Sequence, residues 1–158
     1  MTSFFKRMFF EYIRPIFLRP SGLQVAALCH RSGTAGPEIL LITSRDTGRW
    51  VLPKGWPMRG QDAVGAATIE AWEEAGVRPR TVGQEPIGSY RYRKKLRGGV
   101  PVTTRTLVFP IEVEHLEEDF PQKDERERRW VAPTEAARMV KEPELRDLLA
   151  AFRPSGVH

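Results

Sequence analysis

An α+β sandwich is the fold class that this sequence predicts, on three observations. Apolar runs of strand length recur from residue 24 to residue 131, helical spacing within the domain falls at Ala63–Ala75 and after Pro133, and turn residues part almost every run. Strands mixed with one central and one terminal helical region suit helices layered on a mixed sheet. At 158 residues the chain is long enough for one domain with a substantial core.

The elements follow in order. Residues 1–20 form an aromatic amphipathic segment in which Phe5, Met8, Phe9, Tyr12 and Ile13 share one helical face, and Pro15 ends the helix. Lys6, Arg7, Glu11 and Arg14 interrupt any signal-peptide core, and no small-residue cleavage site follows. This segment is expected to pack on its own domain or to join two copies as a homodimer, with a membrane-surface helix as the alternative. Residues 24–31 and 38–43 read as strands around a turn at 32–37, and Cys29 lies in the first of them as a buried thiol. Residues 49–52 make a short strand, and Pro53, Gly55, Pro57 and Gly60 exclude regular structure before the next helix.

That helix starts on Asp62, a good N-cap, and stops at Gly76, where a left-handed glycine is expected. Its apolar stripe is Val64, Ala67, Ala71, Trp72 and Ala75. Residues 87–95 then alternate and meet Gly98-Gly99, a hairpin signal, and 102–113 return with Pro110, which implies an edge or a bulge. An acidic loop at 115–125, a strand at 128–131 and helices at 133–140 and 142–152 complete a domain over 21–153, followed by a tail at 154–158.

Hydrophobic content of 41% and charge of 28% are those of an ordinary soluble protein, and a single cysteine excludes an internal disulfide framework. No run reaches the roughly 18 apolar residues of a membrane span, so a cytoplasmic location is expected. The histidines show no ligand spacing. A net charge of +5 with pI near 9.7 suggests a polyanionic partner.

Two groups of residues carry chemistry. On the central helix Glu70 and Glu74 stack one turn apart, with Glu73 beside them. Like charges so placed cost a few tenths of a kcal/mol per pair, an arrangement that a fold rarely needs but a hard divalent cation does. A glycine loop just before them can turn backbone carbonyls to the same ion. The second group is cationic. Arg91, Arg93, Lys95 and Arg97 alternate along one strand face, about 6–7 Å apart, with Tyr90 and Tyr92 opposite. Arg45, Arg49 and Lys54 precede the helix and Arg126 and Arg128 lie near the final strand, so several cations surround one acidic helix.

The segment from Gly55 to Val77 resembles the Nudix box, a glycine, five residues, Glu, seven residues, then Arg-Glu-apolar-x-Glu-Glu-x-Gly-apolar. Gly55, Glu70, Ala71, Glu73, Glu74, Gly76 and Val77 fit it, while Gln61 replaces the first Glu and Ile69 the Arg. The resemblance implies an α/β/α sandwich with a mixed sheet and the metal-binding helix after a Gly/Pro loop. It also implies a Mg²⁺-dependent phosphoanhydride hydrolase, with Mn²⁺ as a substitute. Glu70, Glu73, Glu74 and Gly55 would hold the metal, and Glu73 and Glu70 would be catalytic. The paired loss of Gln61 and Ile69 strands no buried charge.

From residue 24 onward the chain is similar to the diphosphoinositol polyphosphate phosphohydrolases, which also cleave diadenosine polyphosphates. The likeness runs through Ser44-Arg45, Arg49-Trp50, the box and Arg126-Glu127-Arg128-Arg129-Trp130. Among bacterial chains, those with a Pro-Lys-Gly-Trp-Pro-Met loop look nearest. It implies Arg45 and Arg126 as phosphate contacts, with Lys54, Arg93 and Lys95 completing the substrate set. Two other readings stand beside it. One is removal of pyrophosphate from RNA 5′ ends, the basic hairpin guiding a single strand. The other is a catalytically weak Nudix domain serving as a ligand sensor or interaction module, motivated by Gln61 and Ile69. No DNA partner is expected.

Overall fold

The computed structural model describes residues 22–95, 99 and 101–154, without the side chains of 94, 95 and 102. The expected N-terminal helix, Arg97 and the tip of the basic hairpin lie outside the described residues, as does the Lys95 side chain. One eight-stranded mixed sheet dominates the described residues, with three helices on its two faces. Its strands are β1 (Gly22–Gly33), β2 (Gly36–Thr43), β3 (Trp50–Val51), β4 (Lys54–Gly55), β5 (Val77–Val82), β6 (Gly88–Lys95), β7 (Pro101–Leu116) and β8 (Arg128–Val131). The helices are α1 (Ala63–Ala75), α2 (Pro133–Met139) and α3 (Pro143–Ala151).

Strand alternation sorts the apolar residues into two cores. Val25, Ala27 and Cys29 of β1 face α1 together with Leu40, Ile42, Phe109 and Ile111. Ala26 and Leu28 face α2 and α3 together with Leu41, Tyr90, Val108, Leu145 and Leu149. Each core sums small contributions of about 25 cal/mol per Å² of apolar surface removed from water. Cys29 is fully buried as expected, and burial pushes its thiol far above the usual range. Among the described residues no helix is long and apolar enough to cross a membrane.

β1 and β7 form a parallel pair at the centre, from Gly22↔Thr104 to His30↔Glu112. β1 and β2 begin as a hairpin and then part. The turn is tighter than the expected six residues: Gly33 pairs with Gly36, so two residues make the reversal. Gly36 supplies φ of +124°, and the Arg31–Glu38 ion pair of 2.8 Å ties the strands beside it. Further along, β3 pairs with Ile42 and Thr43 of β2, and β4 pairs with Val25 and Ala26 of β1. Residues 50–55 are thus a wedge between the diverging strands. The sequence excludes regular structure at Pro53 and Gly55, but Lys54 and Gly55 pair with β1 as β4. Pro53 itself contributes its carbonyl to the Ala27 N–H at 2.9 Å.

Three other expectations are corrected. Residues 77–82 form β5, which periodicity missed because only Val77 and Val82 are apolar ends and Pro79 sits at a bulge between them. Pro110 lies on neither an edge nor a bulge of β7. Its nitrogen faces the junction where pairing passes from β6 (Gly88↔Val108) to β5 (Val82↔Ile111), so the missing N–H leaves no ladder partner stranded. Trp72 is outside the core, with the Arg78 guanidinium 3.9 Å above its ring centroid, and Ala66 takes its place in the buried stripe.

Candidate active site

α1 is built as the sequence implies. Asp62 Oδ1 accepts the Gly65 N–H at 2.7 Å, and Gly76 ends the helix at φ 69°. Ala66, Ala67, Ala71 and Ala75 let the helix lie close on the sheet, since none projects beyond a methyl group. That closeness draws in the flanking acids. Glu70 and Glu74 are only 9% and 6% exposed, while Glu73 is half-buried.

The wedge meets both carboxylates with backbone. The Lys54 N–H donates to Glu74 Oε1 at 3.2 Å. Gly55 lies so near Glu70 that an added Cβ would stand 2.4 Å from its carboxyl carbon. Glu70 and Glu74 stand close enough to share a hydrogen bond when one of them is protonated. Burial first, then that hydrogen bond and the charges of Glu74 and Glu73, push Glu70 up to about 9, opposed by Arg126. At neutral pH one proton therefore joins two acids that would otherwise repel.

This donor set fits a divalent cation. Carboxylate oxygens beside a half-buried backbone segment are the ligands that hard cations take, and a cation can replace the shared proton. The fit is incomplete as it stands. Among the described residues no three acidic, histidine or cysteine side chains converge on one point, so Glu73 is not gathered with the other two. Glu117 and Glu125 in the following loop are tied into exposed ion pairs with Arg78 and Arg45.

Arg126, expected at a phosphate, is buried instead against protein. Its Nε donates to Gln122 Oε1 at 2.9 Å, its Nη1 to the Thr43 carbonyl at 2.9 Å, and its Nη2 lies 3.5 Å from Glu74 Oε1. Arg128 is occupied too, donating through Nη1 to the carbonyls of Ala75 and Glu117 at the C-terminal end of α1. Thr43 and Gln122, which carried no signal in the sequence, turn out to frame the site. Thr43 Oγ1 accepts the Glu127 N–H, and the Gln122 N–H reaches the Glu73 carbonyl at 3.0 Å.

The sheet splits the remaining cations between its faces. Lys54 is in register with Ala26, on the face of α2 and α3, and its ammonium lies 5.6 Å from the Tyr92 ring centroid. Tyr92 donates to Gln24 Oε1, and nearby Arg49 pairs with the buried Glu142 at 3.1 Å. Burial and the Glu142 charge push the Tyr92 hydroxyl up to about 12. Arg93 leaves the sheet on the α1 face, as does Arg105, the register partner of Arg91, whereas Arg91 reaches round the β6 edge to α3. Arg93 and Arg105 are exposed, and Arg91 is paired with Glu144. The sequence held a signal for Arg105, because Arg91 and Arg105 are equidistant from Gly98 and so meet across a hairpin centred there. Arg45 is exposed on the loop after β2 and forms its pair with Glu125 at 3.2 Å.

A family model described as the NUDIX domain matches residues 21–152, from the start of β1 to the end of α3. The chain belongs to the Nudix family. This Nudix domain is 30% identical over 124 residues to the Arabidopsis thaliana protein named Nudix hydrolase 13, mitochondrial, covering 73% of this chain and 59% of that one. It is 29% identical to mouse diphosphoinositol polyphosphate phosphohydrolase 3-alpha, covering 77% of this chain and 71% of the relative. It spans little more than half the length of several Arabidopsis relatives it matches. Among solved structures, the Escherichia coli dihydroneopterin triphosphate pyrophosphohydrolase superposes with a TM-score of 0.64 at 19% identity, over 85% of this chain and 94% of that one, which shows the shared fold. Nudix hydrolases generally use divalent metal ions.

Proposed function

We propose that this Nudix domain is a Mg²⁺-dependent hydrolase that cleaves a phosphoanhydride bond in a polyphosphorylated small molecule, with diphosphoinositol polyphosphates or diadenosine polyphosphates as substrate class. The observation that carries the reading is the buried pair Glu70 and Glu74 packed against the backbone of Lys54 and Gly55. The relatedness to diphosphoinositol polyphosphate phosphohydrolases supports the substrate class.

Glu70, Glu74 and the Gly55 backbone would hold Mg²⁺, with Mn²⁺ as a substitute, and Glu73 would join them or act as base. When bound, the ion offsets charge on phosphoryl oxygens and lowers the pKa of a water. Every other step falls to the chain. Glu70 gives up its proton as the site loads. Glu73, half-buried at the rim of the same helix, accepts the proton of the attacking water. Lys54 and Arg45 flank the wedge, and Arg93 on β6 adds a guanidinium on the α1 face of the sheet, so the phosphates of a polyphosphorylated substrate would have cations to meet.

The test follows phosphate release from both substrates with Mg²⁺ for the wild type and Glu73→Gln. A loss of two or more orders of magnitude in turnover for the variant is expected. Equal rates would refute the role given to Glu73, and no release from any phosphoanhydride would refute the activity.

A second reading is favoured by the exposed Arg93 and Arg105 on the α1 face, which offer a phosphate track to an RNA 5′ end. Affinity falling steeply with salt and rising with RNA length would select it.

A further inference from the structure

We propose that Arg126 is the positioning residue of the acidic pair, holding Glu74 in a metal-ready orientation from outside the helix. This rests on reading Glu70 and Glu74 as cation ligands. The box arginine that would sit on α1 is replaced by Ile69, so the helix itself offers the acids no cation. Arg126 arrives from the loop before β8 and supplies one.

Three features of the geometry distinguish this from a surface ion pair. Both side chains are almost sealed from water, Arg126 at 7% and Glu74 at 8% exposure, so solvent screens the attraction little. The guanidinium is anchored through Nη1 to the Thr43 carbonyl at the end of β2 and through Nε to Gln122 of its own loop, and therefore cannot swing to follow the carboxylate. Finally, Arg126 and the Lys54 N–H both address Oε1 of Glu74. One oxygen fixes the carboxylate plane, and Oε2 takes no part in either contact.

Charge bookkeeping points the same way. One guanidinium faces two buried carboxylates, so the pocket is short by one positive charge when both are ionised, which a proton or a cation supplies. A phosphate-binding arginine would have its nitrogens turned to solvent, whereas all three nitrogens of Arg126 are engaged within the protein.

The experiment is calorimetric titration of Mn²⁺ alone, without substrate, into the wild type, Arg126→Ala, Arg126→Lys and Gln122→Ala, with KM and kcat measured alongside. Arg126→Ala is expected to weaken Mn²⁺ binding about 10–100-fold, the size typical of a group that orients a metal ligand. Arg126→Lys should recover part of that loss, and Gln122→Ala, which releases one anchor but keeps the charge, should lose a smaller factor. Should Arg126→Ala fail to fold, the last two variants carry the test. Unchanged Mn²⁺ affinity in the variants that fold, with only KM raised, would make Arg126 a substrate contact and overturn the proposal. Absence of Mn²⁺ uptake by the wild type would overturn it as well. A wild type that binds Mn²⁺ yet leaves every phosphoanhydride intact would remove the proposed activity and leave this arrangement standing.

Discussion

A methyl group at position 55 would press on the Glu70 carboxyl carbon from 2.4 Å, closer than a real Cβ contact. Because the obstacle is a side chain, the fold can yield by displacing Glu70. Gly55→Ala is thus expected to keep the domain folded while Mn²⁺ affinity falls about 10–100-fold, as read by calorimetry beside circular dichroism. Glu70 also makes the metal-free protein sensitive to pH. Its folded pKa of about 9 lies above the ordinary carboxylate value, so the folded state holds more protons across the interval between them. Stability conferred by the protonated form is present at low pH and is lost as pH climbs toward 9. In EDTA the melting temperature should therefore decline between about pH 5 and pH 9. Divalent metal should restore most at the alkaline end, and Glu70→Gln should flatten the decline. Unchanged melting across that range in EDTA would refute it. The glutamate triplet was legible in sequence because helical spacing is local. The Arg126 contact to Glu74 and the Lys54 N–H contact to the same oxygen were not, since they join residues far apart in the chain whose approach depends on the packing of β4 and the loop before β8.

Elements show the same division. α1 was readable to the residue, because Asp62 and Gly76 act through backbone hydrogen bonds and φ, which composition reports directly. Asp62→Ala is expected to cost about 1 kcal/mol, a fall of roughly 2–4 °C in melting temperature for a domain of this size. Gly76→Ala should cost at least as much. A side chain there would be strained at φ +69° and would meet the Glu117 carbonyl at 2.9 Å. Thermal unfolding of both variants checks this, and wild-type melting would show that the caps contribute nothing. The strands were less legible. β5 is mostly exposed and interrupted by Pro79, so it has no period to read. Pro110 was misjudged because its tolerance depends on the gap between two other strands, which no local pattern contains. Trp72 follows helical spacing but lies at the edge of the stripe, where Arg78 covers it.

At the scale of the molecule, alternation in β1 partitions the apolar residues into one core under α1 and a second under α2 and α3. Cations are thereby sent to opposite sides of the sheet, with Lys54 on one and Arg93 and Arg105 on the other. A substrate bridging them would have to reach from one face of the sheet to the other. Replacing Arg93 and Arg105 together by alanine is expected to raise KM several-fold and flatten its salt dependence, with kcat within about twofold, because each phosphate contact adds to the slope against salt. A fall in kcat with KM unchanged would place those arginines at the chemistry instead. Net positive charge made a polyanionic ligand legible, but the side on which each cation stands needed the register.

The central parallel pair has a consequence for biosynthesis. Gly22 finds its β7 neighbour only at Thr104, so the β7-facing edge of β1 waits for most of the domain before its parallel partner exists. Until then the greasy stretch from Val25 to Cys29 is open to any passing strand edge. Closing so long a span is entropically slow, and nascent chains stalled before residue 112 are where aggregation and chaperone capture should concentrate.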